Sequence, residues 1–435
     1  MRKSILAILC ALMAVSCSRS SIYDVTRFGA RGDGINDDAP AIQIAIDKAF
    51  NDGGGTVVFP AGKTFLSGPV QLRGNIRYTL EPGSVLKANP DESIYHLSAF
   101  GRNEGEGMLW LWAKDEKDMI IDGNGTIDGN GVAFMGEELE DSYELKPVTT
   151  FDPRPHVLTL IGIDNLKIRD ITIREGAYWT VHLVGCEDVM ISGISLLNNL
   201  KIRNGDGIDI DHSRKVRISD CYITSGDDCI CLKNRREFQE YGVCEDIVVS
   251  NCVMTSRSCA VKIGSENMDS IADVLFDNCI IRAGNRGIGI QNRDEGTVRN
   301  VRFSNMYVES LLWSDVWWGK AEPIYVTSYP RARINHKDAS WRFPEGATEG
   351  ACGEVADIRF SNIVCDAANG VFVGGDVPGK VHDIYFEDVT LRLSEERSKV
   401  YDLRPRQGEG FVEAAQGPWH FDVCSDIFVD GKQQK

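Results

Sequence analysis

Eight segments of this chain are variations on one pattern: a polar residue, alternating apolar positions, a polar turn pair, and a second alternating run. They begin at Asn165 (NLKIRDITI), Asp188 (DVMISGISL), Lys215 (KVRISDCYI), Asp246 (DIVVSNCVM), Asp273 (DVLFDNCII) and Asn300 (NVRFSNMYV). After a long interruption two more follow, at Asp357 (DIRFSNIVC) and Asp383 (DIYFEDVTL). A period of roughly 23 to 31 residues is that of a solenoid. Each unit holds short β-rich runs and no amphipathic helix, so stacked parallel coils explain it better than helical repeats or βαβ units. The leucine lattice of leucine-rich repeats is missing, and propeller blades would need longer periods. The expected fold is therefore all-β: a single-domain parallel β-helix.

Ahead of the repeats, Asp38 to Phe50 (DAPAIQIAIDKAF) has helical periodicity, with Pro40 in its first turn. Gly53-Gly54-Gly55 then turns into the strand-like TVVFP. This predicts a short capping helix that seals the first coil, where unpaired backbone and apolar core would otherwise face water. The glycine run is no nucleotide loop, because a strand and not a helix follows it.

The 435 residues include 47 Lys+Arg against 64 Asp+Glu, a formal net charge of -17. That balance argues against an electrostatic grip on nucleic acid or an anionic membrane, so binding an acidic sugar would need a locally basic cleft. At the N-terminus, Arg2 and Lys3 precede the apolar run Ile5 to Val15, which reads as an export signal. Residues 1–16 are expected to be removed, with Cys17 lipidated as in a bacterial lipoprotein; the alternative is ordinary secretion to the periplasm. The β-helix domain is expected over 22–430, with monomer as the default state. Of the 13 cysteines, Cys10 would leave with this leader and Cys17 would carry the lipid, which leaves an odd number. Their spacing gives no zinc pattern. Cys221, Cys252 and Cys279 recur at one place in the repeat and read as small buried hydrophobes.

Two stretches break the rhythm: Phe134 to Pro155, and Leu311 to Gly350 with Trp313, Trp317, Trp318 and Trp341. Long loops on a rigid scaffold tend to carry binding. Their rings could stack on sugars or pack beneath their own loop.

The densest polar constellation is Asn204-Gly205-Asp206-Gly207-Ile208-Asp209-Ile210-Asp211, followed one repeat later by Ser225-Gly226-Asp227-Asp228-Cys229-Ile230. Equivalent positions on consecutive coils stand about 4.8 Å apart, which brings Asp206 near Asp227 and Asp228. Carboxylates so crowded cannot all ionise freely, and at least one pKa should rise. A proton donor beside a base is what glycoside hydrolysis requires. Turn-capping aspartates or a calcium site are the competing readings. No cofactor or metal is expected.

At these residues the sequence resembles glycoside hydrolase family 28, the polygalacturonases and rhamnogalacturonan hydrolases. The likeness runs from FGARGDGINDDAPAIQIAID through GGGTVVFPAG to the last repeats, and NGDGIDID with SGDDCI are its specific motifs. It implies a right-handed, pectin-lyase-like solenoid and an inverting hydrolase of pectin-type glycans. Asp227 would be the general acid, Asp206 and Asp228 would activate water, and Asn204 and Asp209 would shape the site. An inverting pair generally stands about 6.5 to 9.5 Å apart.

Two family motifs are absent. Cys259 stands where a Gly-His-Gly would place histidine, and Gly289-Ile290-Gln291 replaces an Arg-x-Lys that grips the uronate carboxylate. Either the sugar beside the acid is not galacturonate, or other cations replace the clamp: Lys233, Lys262, Arg286 and Arg293 are the candidates. Lys262 interrupts an otherwise apolar strand, where it needs a partner or an outlet to solvent. His182, one coil before the aspartates, is either a substrate contact or a structural histidine. Glu322, Arg331 and Arg333 could also reach the cleft. The lead expectation is a hydrolase, exo-acting or directed at rhamnogalacturonan. A polysaccharide lyase using Lys262 as base, and a glycan-binding β-helix without activity, are the alternatives.

Overall fold

The computed structural model describes residues 21–99, 107–138, 145–147, 154–313, 319–330, 352–394 and 418–435. Cys10, Cys17, Trp317, Trp318, Trp341, Arg331 and Arg333 lie outside them. The described strands form one 23-stranded and one 11-stranded sheet, wound as a right-handed parallel β-helix, and a separate antiparallel pair, Met135–Glu138 with Leu145–Pro147.

The sequence repeat is the rung of this coil. Its first residue takes the left-handed backbone conformation in every copy: Asn165, Asp188, Lys215, Asp246, Asp273, Asn300, Asp357 and Asp383 all have φ between 51° and 58°. Asparagine and aspartate tolerate this region best among residues with a Cβ, which explains why they recur there. The alternating positions after it point inward and stack in register. Val216, Ile247, Val274, Val301, Ile358 and Ile384 form one ladder, and Ile218, Val249, Phe276, Phe303, Phe360 and Phe386 the next. The four phenyl rings overlie one another at 5.4, 5.1 and 5.0 Å, with interplanar angles of 19°, 8° and 8°.

The N-terminal cap is the helix Ala39–Asn51, which buries Ala39, Ile42, Ala45, Ile46 and Ala49 on the first coil. The Asp38 carboxylate turns back to accept the N–H groups of Arg31 and Gly32, at 2.6 and 2.9 Å. At the other end, the chain reverses and Lys432–Gln433 pairs antiparallel with Ser425–Val429.

The predicted thiol stack is present. Cys221, Cys252 and Cys279 are buried, and each bonds the carbonyl two residues earlier at 3.1 to 3.3 Å. All eleven described cysteines are free thiols.

The 11-stranded sheet departs from simple in-out alternation. In Val181–Val184, Ile208–Asp211, Ile230–Asn234 and Arg286–Asn292 every residue is buried, polar ones included. One face lines the apolar core, and the other carries a row of buried polar side chains. At the ends of these strands Asn234, Asn267 and Asn292 bond to one another at 3.0 Å and donate to nearby backbone carbonyls.

Candidate active site

Both aspartate motifs occupy the turn that feeds the 11-stranded sheet. The Ser225 hydroxyl donates to the Gly205 and Asp228 carbonyls, at 2.7 and 2.9 Å, and accepts the Asp227 N–H at 3.2 Å. Ser256, its register partner on the next coil, donates to the Asp227 carbonyl. The two serines therefore fix the backbone of the Asp227-Asp228 pair from both sides. Gly226 permits the turn: a Cβ there would fall 2.1 Å from the Ile202 carbonyl oxygen. The Gly207 N–H bonds the Asp228 carbonyl at 2.8 Å, which sets Asp206 beside Asp228 across adjacent coils.

Asp206, Asp227 and Asp228 are each at most 5% exposed, and one oxygen from each lies within 4.8 Å of the other two. Burial, and then the charges of Asp209, Asp227 and Asp228, hold the Asp206 carboxyl well above its ordinary range. Burial and the neighbouring Asp228 push Asp227 up to about 7. Asp228 is the best-furnished of the three. It accepts from the Lys262 ammonium at 2.7 Å, and from the Ser258 hydroxyl and Cys259 N–H at 3.3 Å. Asp206 Oδ1, by contrast, is buried with no hydrogen-bond donor among the described residues. The site thus offers a protonated carboxyl, an ion-paired carboxylate and an acceptor oxygen with spare capacity. Three such oxygens could also hold a hard cation, but the Lys262 ammonium already sits on Asp228 where one would bind.

Asp206 and Asp228 stand at equivalent positions of neighbouring coils, next to the register pair Ile208 and Ile230, so the interstrand spacing brings their carboxyls together.

Lys262 does not point to solvent: it faces back along the sheet to Asp228, and its register partner on the following coil is Gly289. Burial works against its ammonium, but the neighbouring acidic groups, Asp228 foremost and Asp227 with it, together outweigh this and keep the proton above the usual lysine range. Lys233 stands 3.4 Å from Asp209 and 3.9 Å from Glu266, with its ammonium 4.5 Å from the centre of the Trp179 ring. Burial raises Asp209 to about 7 even against this lysine. Arg286 pairs with Glu322 at 3.2 Å and lies 3.7 Å above the Tyr325 ring. Arg293 follows the far end of strand Arg286–Asn292, roughly 20 Å along it from Arg286. Asn204 is part-exposed at φ 54° in the turn before Asp206.

His182 is fully buried, 3.4 Å from Asp211, with its ring edge-on to Trp179 at 5.0 Å. This places it beneath an aromatic wall made of Tyr178, Trp179 and His156, to which Arg235 adds a guanidinium 5.5 Å from the Trp179 ring. Sequence reasoning missed that wall. The only signal was Tyr178-Trp179 falling one coil before the aspartates. Trp313 packs against the preceding coils, donating to the Ala283 carbonyl with Arg257 3.9 Å over its face.

Comparison with known proteins agrees with this architecture. A probable polygalacturonase of Vitis vinifera is 31% identical over 283 residues, 60% of this chain and 55% of the relative. An exopolygalacturonase of Cochliobolus carbonum is 28% identical over 215 residues, 46% of this chain and 44% of its own. The chain thus spans about half the length of these curated relatives. Among solved structures, a family 28 exopolygalacturonase of Yersinia enterocolitica superposes with a TM-score of 0.69 at 19% identity, covering 96% of this chain and 79% of that one. An endo-xylogalacturonan hydrolase of Aspergillus tubingensis gives 0.58 at 18%, covering 92% and 100%. These two likenesses are likenesses of fold. The sequence model of glycosyl hydrolases family 28 matches residues 56–314, more than half the chain and all the coils that hold the three aspartates, and the protein belongs to that family.

Proposed function

We propose that the protein hydrolyses glycosidic bonds in a pectin-type polysaccharide, either from a chain end or within a rhamnogalacturonan. Asp227 protonates the departing oxygen, and Asp206 with Asp228 activates the attacking water. The observation that supports this is the unequal furnishing of the three carboxyls. Asp227 is raised to about 7 and can hold a proton near neutrality, while Asp228 accepts a hydrogen bond from the buried Lys262 ammonium. Trp179 and Tyr178 give the cleft an aromatic wall suited to the apolar face of a sugar ring. The lyase reading is disfavoured by the same lysine, since an ammonium held by Asp228 is a poor proton acceptor.

The test is incubation with polygalacturonate, rhamnogalacturonan fragments and a neutral galactan, following reducing ends and ultraviolet absorbance together. Reducing ends without absorbance support hydrolysis; an unsaturated, absorbing product would overturn it. Proton NMR of the first-formed anomer decides inversion against retention, which the close carboxylates leave open. Export and a lipid on Cys17 are part of the same proposal, and radiolabelled fatty acid incorporation that is lost in Cys17→Ala is the expected result. A monomer is expected by light scattering.

A further inference from the structure

The coils that follow the aspartates form the side of the cleft that the missing clamp would have served. Two cations stand there, and a buried carboxylate already neutralises each. Lys262 bonds Asp228 at 2.7 Å. Arg286 bonds one oxygen of Glu322 at 3.2 Å, and the Lys320 N–H occupies the other oxygen at 2.5 Å. Asp228, Cys259, Arg286 and Glu322 follow one another along this edge of the sheet, with Cys259, Arg286 and Glu322 neighbours in register. Gly289, opposite Lys262, cannot be replaced by a longer cationic residue in this packing. A Cβ there would lie 2.8 Å from Cys259 Sγ and 3.0 Å from Arg286 Cδ, so the arginine stem itself fills the space above the glycine.

A sugar carboxylate arriving on these coils would have to take Lys262 from Asp228 or Arg286 from Glu322. Either exchange leaves a protein carboxylate buried without its partner, which is strongly unfavourable. A hydroxyl-bearing ring displaces nothing, because its O–H groups can donate to Glu322 or Asp228 while the ion pairs stay closed. Building on the hydrolase reading above, we infer that the sugar unit bound on the coils after the aspartates is an uncharged one, recognised through hydroxyls and not through a uronate carboxylate. Arg286 and Glu322 then set specificity as a closed pair: among the described residues of these coils, neither Lys262 nor Arg286 can meet an anion without opening an ion pair.

The experiment compares kcat/KM for oligogalacturonides of one chain length, with uronates free or methyl-esterified, and for rhamnogalacturonan fragments that end in a neutral sugar. Uncharged units at the cleaved bond should be preferred by at least about tenfold, with a KM that does not change between low and high salt. Glu322→Gln, which leaves Arg286 its charge, should narrow that preference and introduce a salt-dependent KM for the free acid; far-ultraviolet dichroism checks that the variant is folded. The inference is overturned, with hydrolysis left standing, if the wild-type protein prefers the free acids and their KM rises with salt. Absence of hydrolysis on every substrate would instead overturn the functional reading on which it rests.

Discussion

At the scale of single residues, three aspartates in one cluster have different fates because their neighbours differ. Asp227 is buried beside Asp228, which raises its pKa to about 7; Asp228 is paired with the Lys262 ammonium. Replacing Asp227 by Asn should lower kcat by about 10²- to 10⁴-fold with the fold intact, as measured by reducing-end release and dichroism. In the wild type, activity should fall as pH rises through about 7, where the acid loses its proton, although the cluster titrates as a unit. Lys262 holds the Asp227 pKa down, so Lys262→Met should move that alkaline limb upward while costing about 3–5 kcal/mol of stability. Asp206 gives the complementary case. Its pKa is raised on folding, so the folded chain binds more protons than the unfolded one above the ordinary value of 3.8, and stability is lost as pH rises through the raised value. Asp206→Asn should therefore raise the melting temperature more at pH 8 than at pH 5, and abolish activity at both.

At the scale of elements, the phenylalanine ladder concentrates stability in rungs that take no part in chemistry. Phe303 is fully buried between Phe276 and Phe360, and Phe303→Ala should cost about 3–5 kcal/mol in a denaturant titration while kcat is retained in the folded fraction. These rungs were legible in the sequence because two signals coincide in them: apolar alternation, and a polar residue at the start of each unit, Asn or Asp in all but the one that opens with Lys215. The site strands were harder to read. The polar residues in Ile208–Asp211 and Ile230–Asn234 do not mark a solvent face, since both faces are covered. The pairing of Lys262 with Asp228 was hidden for another reason. The coil from Ile230 to Val261 is longer than that from Ile208 to Ile230, so spacing alone does not tell which residues of the two coils meet. The aspartate cluster survived this uncertainty because its two motifs are separated by a single short coil, Ile208 to Ile230.

For the molecule as a whole, cohesion comes from stacked backbone and core, without covalent cross-links among the described residues. All eleven described cysteines are free and ten of them are buried, so the melting temperature should be unchanged by a reducing agent. A drop in its presence would reveal a bridge.

The strand that follows Asp228, Ile230–Asn234, is sixth of the eleven described strands in its sheet. A one-dimensional stack loses its outer members first, because each end coil has a neighbour on one side only. The aspartates therefore sit where amide protons should exchange last, with five strands of sacrificial length on either hand, and limited damage at either terminus would shorten the molecule before it silences it.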